Sequence, residues 1–592
     1  MSVAQLAVVA LLSQGPATPQ SPAIVEGTVV RFGTGEPVSG AQVQLFRVQS
    51  PRPPGPAGAD RPPLDLDDLK PYSAATAQDG RFVFDNVKPG KYRLVALRSG
   101  GFVPGEFGQR SARGLGISFE LAAGQRMRGV QLVLTPTGSI SGRVYDRDGP
   151  VGRLQVQALR PVYRDGQRTL TIVQSVQTDD RGEYRLFWLP PGPYYVTVKP
   201  FNARGGDPSG GPDAAFTSGV HISEPTRTGT FEQASSPVVI SRTLPNADVV
   251  EELQLPVYYP GTTDMSGAGR IDLRAGASAD GMDIAVTMGA VRARHIRGIV
   301  LANGQPVPAA GITVIPRMPD PSPLIPSGRT NADGSFDVSG LLPGPYFVFA
   351  RTNPGLTGGL GLEVGDADID NLVIPVTPGA RLTGRFIVDG RSRTGGDPDI
   401  ANLRATLQRD PDLLGMPQAG PTFSPPPGMD GGFELLGVSP GDFRVSVRAL
   451  PSDGYVKSMR LGSVDVLESG LHISGSPRDT LEIVIGTNAG RLTGTVVNAR
   501  QEPLANVTVA VVPGAAARHR TDLYHSATTD SSGRFQIHGL AAGSYTAFAW
   551  EEIEEGAWQD PDFVRAYDSQ GKSVQIRDGD DQNVQLTVIA VR

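Results

Sequence analysis

Residues 221–224 read "HISE", an H-x-x-E pair of His221 and Glu224. On a helix two such side chains share one face and hold zinc once a third ligand arrives, and His295 is the nearest candidate for that third ligand. The surrounding "SGVHISEPTRTGT" carries Gly, Pro and Thr and does not read as a helix, so the metal reading fails on context. His519 and His525, in "HRTDLYH", read as solvated side chains ahead of a strand, and His472 and His538 are isolated. Acidic runs at 65–69 (DLDDL), 365–370 (GDADID) and 578–581 (DGDD) lack the residue order of a calcium loop and read as solvated turns. There is no G-x-S-x-G elbow with its partners, and no Gly-rich phosphate loop between a strand and a helix. With no Cys in the chain, thiolate metal sites, a Cys nucleophile and disulfides are excluded. No catalytic residue, metal or cofactor is expected.

The aromatics offer a different chemistry. The chain has 3 Trp, at 188, 550 and 558. Trp550 and Trp558 bracket an acidic stretch, "EEIEEGAW", with Phe563 and Tyr567 close behind. A flat ring covers the C–H face of a pyranose while carboxylates take its hydroxyls, so Trp188, Trp550, Trp558 and Tyr567 are the candidate glycan-binding residues. The competing reading is packing at the edge of a core under a long loop.

These residues hang on a repeated frame. "TAQDGRFVFDNVKPGKYRLVA" (76–96) returns at 178–198, 330–350, 428–447 and 529–549. Gly80, Gly182, Gly334, Gly431 and Gly533 each stand ten residues before Gly90, Gly192, Gly344, Gly441 and Gly543. The first glycine follows Asp, Arg or Ser in a tight turn that asks for φ > 0. Two residues later comes an aromatic: Phe82, Tyr184, Phe336, Phe433 and Phe535. After the second turn comes another: Tyr92, Tyr194, Tyr346, Phe443 and Tyr545. Alternation predicts strands with these rings on the buried face, the two strands forming a hairpin. Phe443 in the fourth copy implies that the ring matters and the phenol hydroxyl does not.

Ahead of each copy lies a glycine inside an apolar strand, in "IVEGTVV", "SISGRVY", "HIRGIVL", "RLTGRFIV" and "RLTGTVV". Then come segments such as "EPVSGAQVQL" and "EPLANVTVAVV", and each unit closes on one more strand, "GVQLVL" or "VQLTV". Short, turn-bounded strands without a 3.6-residue period predict all-β sandwiches. Few residues separate one unit from the next, which predicts a semi-rigid rod of beads.

The pattern G-x-V, x-P-[VL]-x-x-A-x-V, T-x-x-x-G-x-[FY], P-G-x-[YF] resembles the carboxypeptidase regulatory-like domain family. That resemblance implies a prealbumin-like, Greek-key β-sandwich related to Cna B-type and starch-binding-like folds. Five tandem domains are expected: 23–135, 136–288 with a polar insertion at about 200–250, 289–377, 378–487 and 488–592, after a signal peptide at 1–22. The family's name comes from the peptidase it accompanies, and five sandwiches leave no room for that catalytic domain. Some related domains cross-link Lys to Asn, but none of the five first strands contains Lys.

The net charge of −6 removes the basic face that nucleic acid requires. The apolar run from Val3 to Leu12 suits an export signal, and no run is long enough for a transmembrane helix. The expectation is an exported, non-catalytic module of the periplasm, outer surface or exterior, partnered by a polysaccharide or another surface protein. Carbohydrate binding through loop aromatics is the main alternative, and a metal-dependent enzyme the remaining one.

Overall fold

The computed structural model describes residues 21–48, 70–112, 114, 116–164, 166–199, 239–243, 249–286, 290–317, 325–352, 355–390, 400–410, 422–451 and 453–590. The chain forms two compact bodies, residues 1–136 and 137–592. The first holds repeat one, the second the remaining repeats. Each repeat has its own buried apolar cluster, and all are built from strands. The fold is a series of tandem β-sandwiches.

Repeat one shows the plan. Its first strand, Ala23–Arg31, pairs antiparallel with Arg81–Val87 and parallel with the last strand, Arg126–Pro136. The second sheet joins Tyr72–Ala75, Gln42–Arg47 and Gly90–Leu97. The parallel pairing of first and last strands recurs in the other repeats.

The two strands on either side of the Pro-Gly turn are therefore not a hairpin. Arg81–Val87 belongs to one sheet and Gly90–Leu97 to the other, and the same division holds in the other repeats. A two-residue hairpin turn needs φ > 0 at its first central position, and proline is locked near −65°. The turn instead carries the chain across the sandwich. Phe82 and Tyr92 thus enter the same core from opposite sheets.

The turn glycines before the aromatics do lie in the left-handed region, with φ of +74° at Gly80, +70° at Gly182, +77° at Gly334, +79° at Gly431 and +74° at Gly533.

The expected insertion at 200–250 is only in part outside the described residues. Val239–Thr243 and Val249–Gln254 pair with each other, and the latter with Ala290–Arg292, in a small separate sheet.

Within 137–592 the repeats are not beads that touch only their sequence neighbours. In repeat two the strands Gln155–Arg164 and Gln167–Gln177 form a long ribbon, and its tip lies on repeat five, with the Tyr163 ring 6.1 Å from that of Phe563.

Candidate functional site

The sequence candidates for metal chemistry that fall on described residues do not converge. His221, Glu224 and the run at 65–69 lie outside the described residues. Among the described residues no group of three His, Asp or Glu side chains is placed to hold a metal ion. His295 belongs to an ion cluster instead: its Nδ1 lies 2.7 Å from Asp337 and its Nε2 3.4 Å from Glu251. Arg297 spans Asp337, Asp368 and Asp370 at 3.1–3.2 Å. Burial opposes the Arg297 charge, but hydrogen bonds to these carboxylates prevail and raise its pKa. The cluster holds the strand of Glu251 onto repeat three. In the 578–581 run, Asp578 accepts a hydrogen bond from the Tyr455 hydroxyl at 2.9 Å. His519 reaches Glu468 at 3.1 Å, and His472 reaches Asp442 at 2.7 Å.

The aromatic candidates separate. Trp550 has 0% exposure; it stacks on Phe548 at 5.0 Å and meets the Tyr567 ring edge-on at 5.8 Å. A ring so enclosed has no face free for a sugar, which corrects its place among the glycan candidates. Trp558 and Tyr567 are half-buried against the same cluster, formed by Phe548, Trp550, Val564 and Ile589 with Phe563. The segment that packs them, read as a loop, contains short helical turns at Ala557–Gln559, Pro561–Arg565 and Asp568–Gln570. Asp560 caps the middle one by accepting from the N–H groups of Asp562 and Phe563, and Pro561 stands at its first position.

Trp188 differs from both. It is 45% exposed, on an edge strand, and its neighbour Phe187 supports it edge-to-face at 5.0 Å. Its φ is +56°, at a position where repeats three, four and five have Gly340, Gly437 and Gly539 at +88°, +72° and +78°. A large side chain held there costs about 1–3 kcal/mol of backbone strain.

The repeated residues are committed to folding. The glycine inside each first strand faces the first aromatic: Gly27 opposite Phe82, Gly142 opposite Tyr184, Gly298 opposite Phe336, Gly384 opposite Phe433 and Gly494 opposite Phe535. At four of the five a Cβ would meet a backbone carbonyl oxygen of the adjoining last segment, at 2.1 Å from Val130 for Gly27 and 1.9 Å from Val584 for Gly494, and at Gly384 it would meet the Phe433 ring. Glycine lets the backbones approach, and the aromatic covers the gap. Phe82, Tyr184, Phe336, Phe433 and Phe535 are all buried, as are Tyr92, Tyr194, Tyr346, Phe443 and Tyr545.

The phenol hydroxyls are used, contrary to the expectation drawn from Phe443. Tyr92 donates to the Lys88 carbonyl at 2.7 Å, Tyr194 to Pro190 at 2.6 Å and Tyr545 to Ala541 at 3.0 Å. The Tyr346 oxygen accepts from the Leu342 N–H at 3.1 Å. Each bond staples the crossing turn. In repeat four Arg409 does this from the neighbouring strand: it donates to the Pro440 carbonyl at 3.1 Å and to the Ser439 hydroxyl, and lies over the Phe443 ring at 4.9 Å.

Residues 24–134 and 491–588 match the model of the carboxypeptidase regulatory-like domain. The two matched stretches lie in the first and fifth repeats. No curated protein sequence matches the chain. Among solved structures, the TIE protein of Bacillus anthracis is similar at 9% identity, covering 97% of this chain and 75% of that one, with a TM-score of 0.14. The minor pilin of Streptococcus agalactiae is similar at 12% identity, over 44% of this chain and 94% of its own, with a TM-score of 0.20. The major pilin subunit of Bacillus cereus is similar at 10% identity, over 61% and 100%, with a TM-score of 0.14. Likeness at these scores carries no functional weight.

In the matched repeats and in those between them, sequence reasoning missed one set of residues. Thr76, Thr178, Thr330 and Thr529 bury a hydroxyl that accepts from one backbone N–H and donates to one carbonyl across the connection ahead of it. For Thr529 the partners are Val507 N–H at 2.9 Å and Leu504 O at 2.7 Å. In repeat four the role of acceptor passes to Ser424, which takes the Ala405 N–H at 3.0 Å. The threonine that opens four of the five repeated stretches was the available signal.

Proposed function

We propose that the chain is an exported, non-catalytic structural or adhesive module of the cell surface, built of five sandwiches at the boundaries given above. The observation that carries this reading is where the repeated residues are spent. Each recurrent glycine, aromatic, hydroxyl and phenol serves a close backbone approach, a core or a turn staple, so no recurrent side chain is left to act on a substrate. Rigid sandwiches with loops that differ between copies suit recognition by the loops. Among the described residues no helix is long and apolar enough to cross a membrane. The test is to delete the gene and measure attachment of the cells to surfaces and to one another. Loss of attachment, restored by the full chain, supports the reading. Unchanged attachment together with a turnover activity of the purified chain overturns it.

A second reading, carbohydrate contact, is favoured at one place. Trp188 presents an exposed ring in a conformation that repeats three, four and five give to glycine, so the side chain is kept at a cost in backbone strain. An immobilised-polysaccharide array probed with the wild-type chain and with Trp188→Ala tests it; array signals that Trp188→Ala leaves intact would refute it.

A further inference from the structure

Among the described residues, two repeats carry an addition not seen in the others. In repeat two the paired strands run to ten and eleven residues, Gln155–Arg164 and Gln167–Gln177. The corresponding strands are six and three residues in repeat three and six and four in repeat five. Only Gln155–Leu159 also pairs with Gly192–Lys199; from Arg160 to Arg164 the ribbon has just its own second strand. A free two-stranded ribbon is marginally stable in water and needs a surface to lie on. In repeat five the addition is the helical arm that follows Trp550.

The two additions meet. The Tyr163 ring packs edge-on to Phe563. Gly166, at φ +76°, lies so close that a Cβ would come 2.6 Å from the Gln559 carbonyl oxygen. Gly556, at φ +84°, lies so close that a Cβ would come 3.2 Å from the Tyr163 carbonyl oxygen. Each partner thus sets a left-handed glycine against the other's backbone. Burial raises the Tyr163 pKa, with the carboxylates of Glu554 and Asp560 adding to it against Arg168.

We propose that the overhanging ribbon of repeat two and the helical arm of repeat five form a releasable clasp that holds these two repeats together. The contact rests on a few side chains and two glycines and leaves both sandwich cores intact, since neither Tyr163 nor Phe563 belongs to the principal core of its repeat. The clasp therefore opens without unfolding either sandwich. On opening, repeats two and five part, and the Phe563 face of the arm becomes free.

The chain has no Cys, so an engineered pair reports the contact without background. A Cβ built on Gly166 stands 3.7 Å from the Cβ of Gln559, inside the range a disulfide requires. In the full chain, Gly166→Cys with Gln559→Cys should oxidise to a monomer of altered mobility on a non-reducing gel, reversed by reductant and absent from each single variant. Tyr163→Cys with Gly556→Cys, whose Cβ positions approach to 3.3 Å, gives an independent pair should the first strain the tip. The complementary variant is Tyr163→Ala with Phe563→Ala. It should raise the radius of gyration in solution scattering while circular dichroism and the main thermal transitions stay unchanged. No monomeric disulfide from either pair, or disulfides only between chains, overturns the clasp. So does an unchanged radius in the double alanine variant, or a rise accompanied by loss of a thermal transition.

Discussion

Substituting Gly27 by alanine tests whether close approach of two backbones, and not turn geometry, selects the glycine inside each first strand. A Cβ at residue 27 would lie 2.1 Å from the Val130 carbonyl oxygen and 2.8 Å from both the Phe82 ring and Val130 Cβ. Carbon and carbonyl oxygen rest at about 3.3–3.6 Å, so the two parallel strands must separate by about an ångström. Overpacking of this kind costs about 1–3 kcal/mol. Separating the strands also weakens ladder hydrogen bonds worth about 1 kcal/mol each. The sum is about 3 kcal/mol, which for a domain of this size lowers Tm by about 12 °C. Gly40 is the control, with φ +68° and open space where its Cβ would go. Gly40→Ala should cost only the left-handed strain of about 1–2 kcal/mol. The assay is thermal unfolding, by circular dichroism, of residues 21–136, which form a compact body with its own core. A Gly27→Ala melt no lower than that of Gly40→Ala would refute the reasoning.

Further outcomes follow from other contacts. Tyr194→Phe should cost about 1–2 kcal/mol by leaving the Pro190 carbonyl unpaired, and Tyr194→Ala about 3–5 kcal/mol through the cavity; equal costs in urea unfolding would show that the staple contributes nothing. Thr529→Val should cost about 2–4 kcal/mol by orphaning the Val507 N–H and the Leu504 carbonyl, while Thr529→Ser should stay close to wild type in a thermal melt. Trp188→Gly should leave stability unchanged or slightly raised, because about 1–2 kcal/mol of left-handed strain is relieved against an edge contact worth about 0.5–1.5 kcal/mol. Trp550→Ala, by contrast, should cost about 3–5 kcal/mol. Burial lowers the His525 pKa, opposed by Asp522. The unfolded chain then binds the proton more readily, so this stability is present above an unfolded pKa of about 6.5 and is lost as pH falls below it. Melts at pH 7.5 and 5.5 should show a larger acid loss for the wild type than for His525→Gln; equal losses would contradict the assignment.

Much of the frame was legible because spacing encodes it. The ten-residue interval between glycines marks two turns, and alternation places Phe82 and Tyr92 on buried faces. What alternation does not carry is which strands pair. It describes Arg81–Val87 and Gly90–Leu97 equally well as a hairpin or as strands in opposite sheets; only the proline ahead of Gly90 distinguished the two. Trp550 shows the other gap. In "GSYTAFAW" Tyr545, Ala547 and Ala549 face the main core, and Phe548 and Trp550 take the opposite face, where alternation reads exposure. The helical arm covers that face. The neighbouring strand "TVAVVP" held the clue, since Ala510 and Val512 are apolar on the same outer side. The Asp560-Pro561 pair marked the helical turn that follows.

The most direct measurement of the central claim is protease shaving of intact cells, followed by detection of the chain with an antibody to repeat five. A surface structural or adhesive module predicts that shaving removes the signal from intact cells while a cytoplasmic marker stays untouched. Full retention of the signal after shaving, with the chain recovered only in the cytoplasmic fraction after lysis, would contradict it.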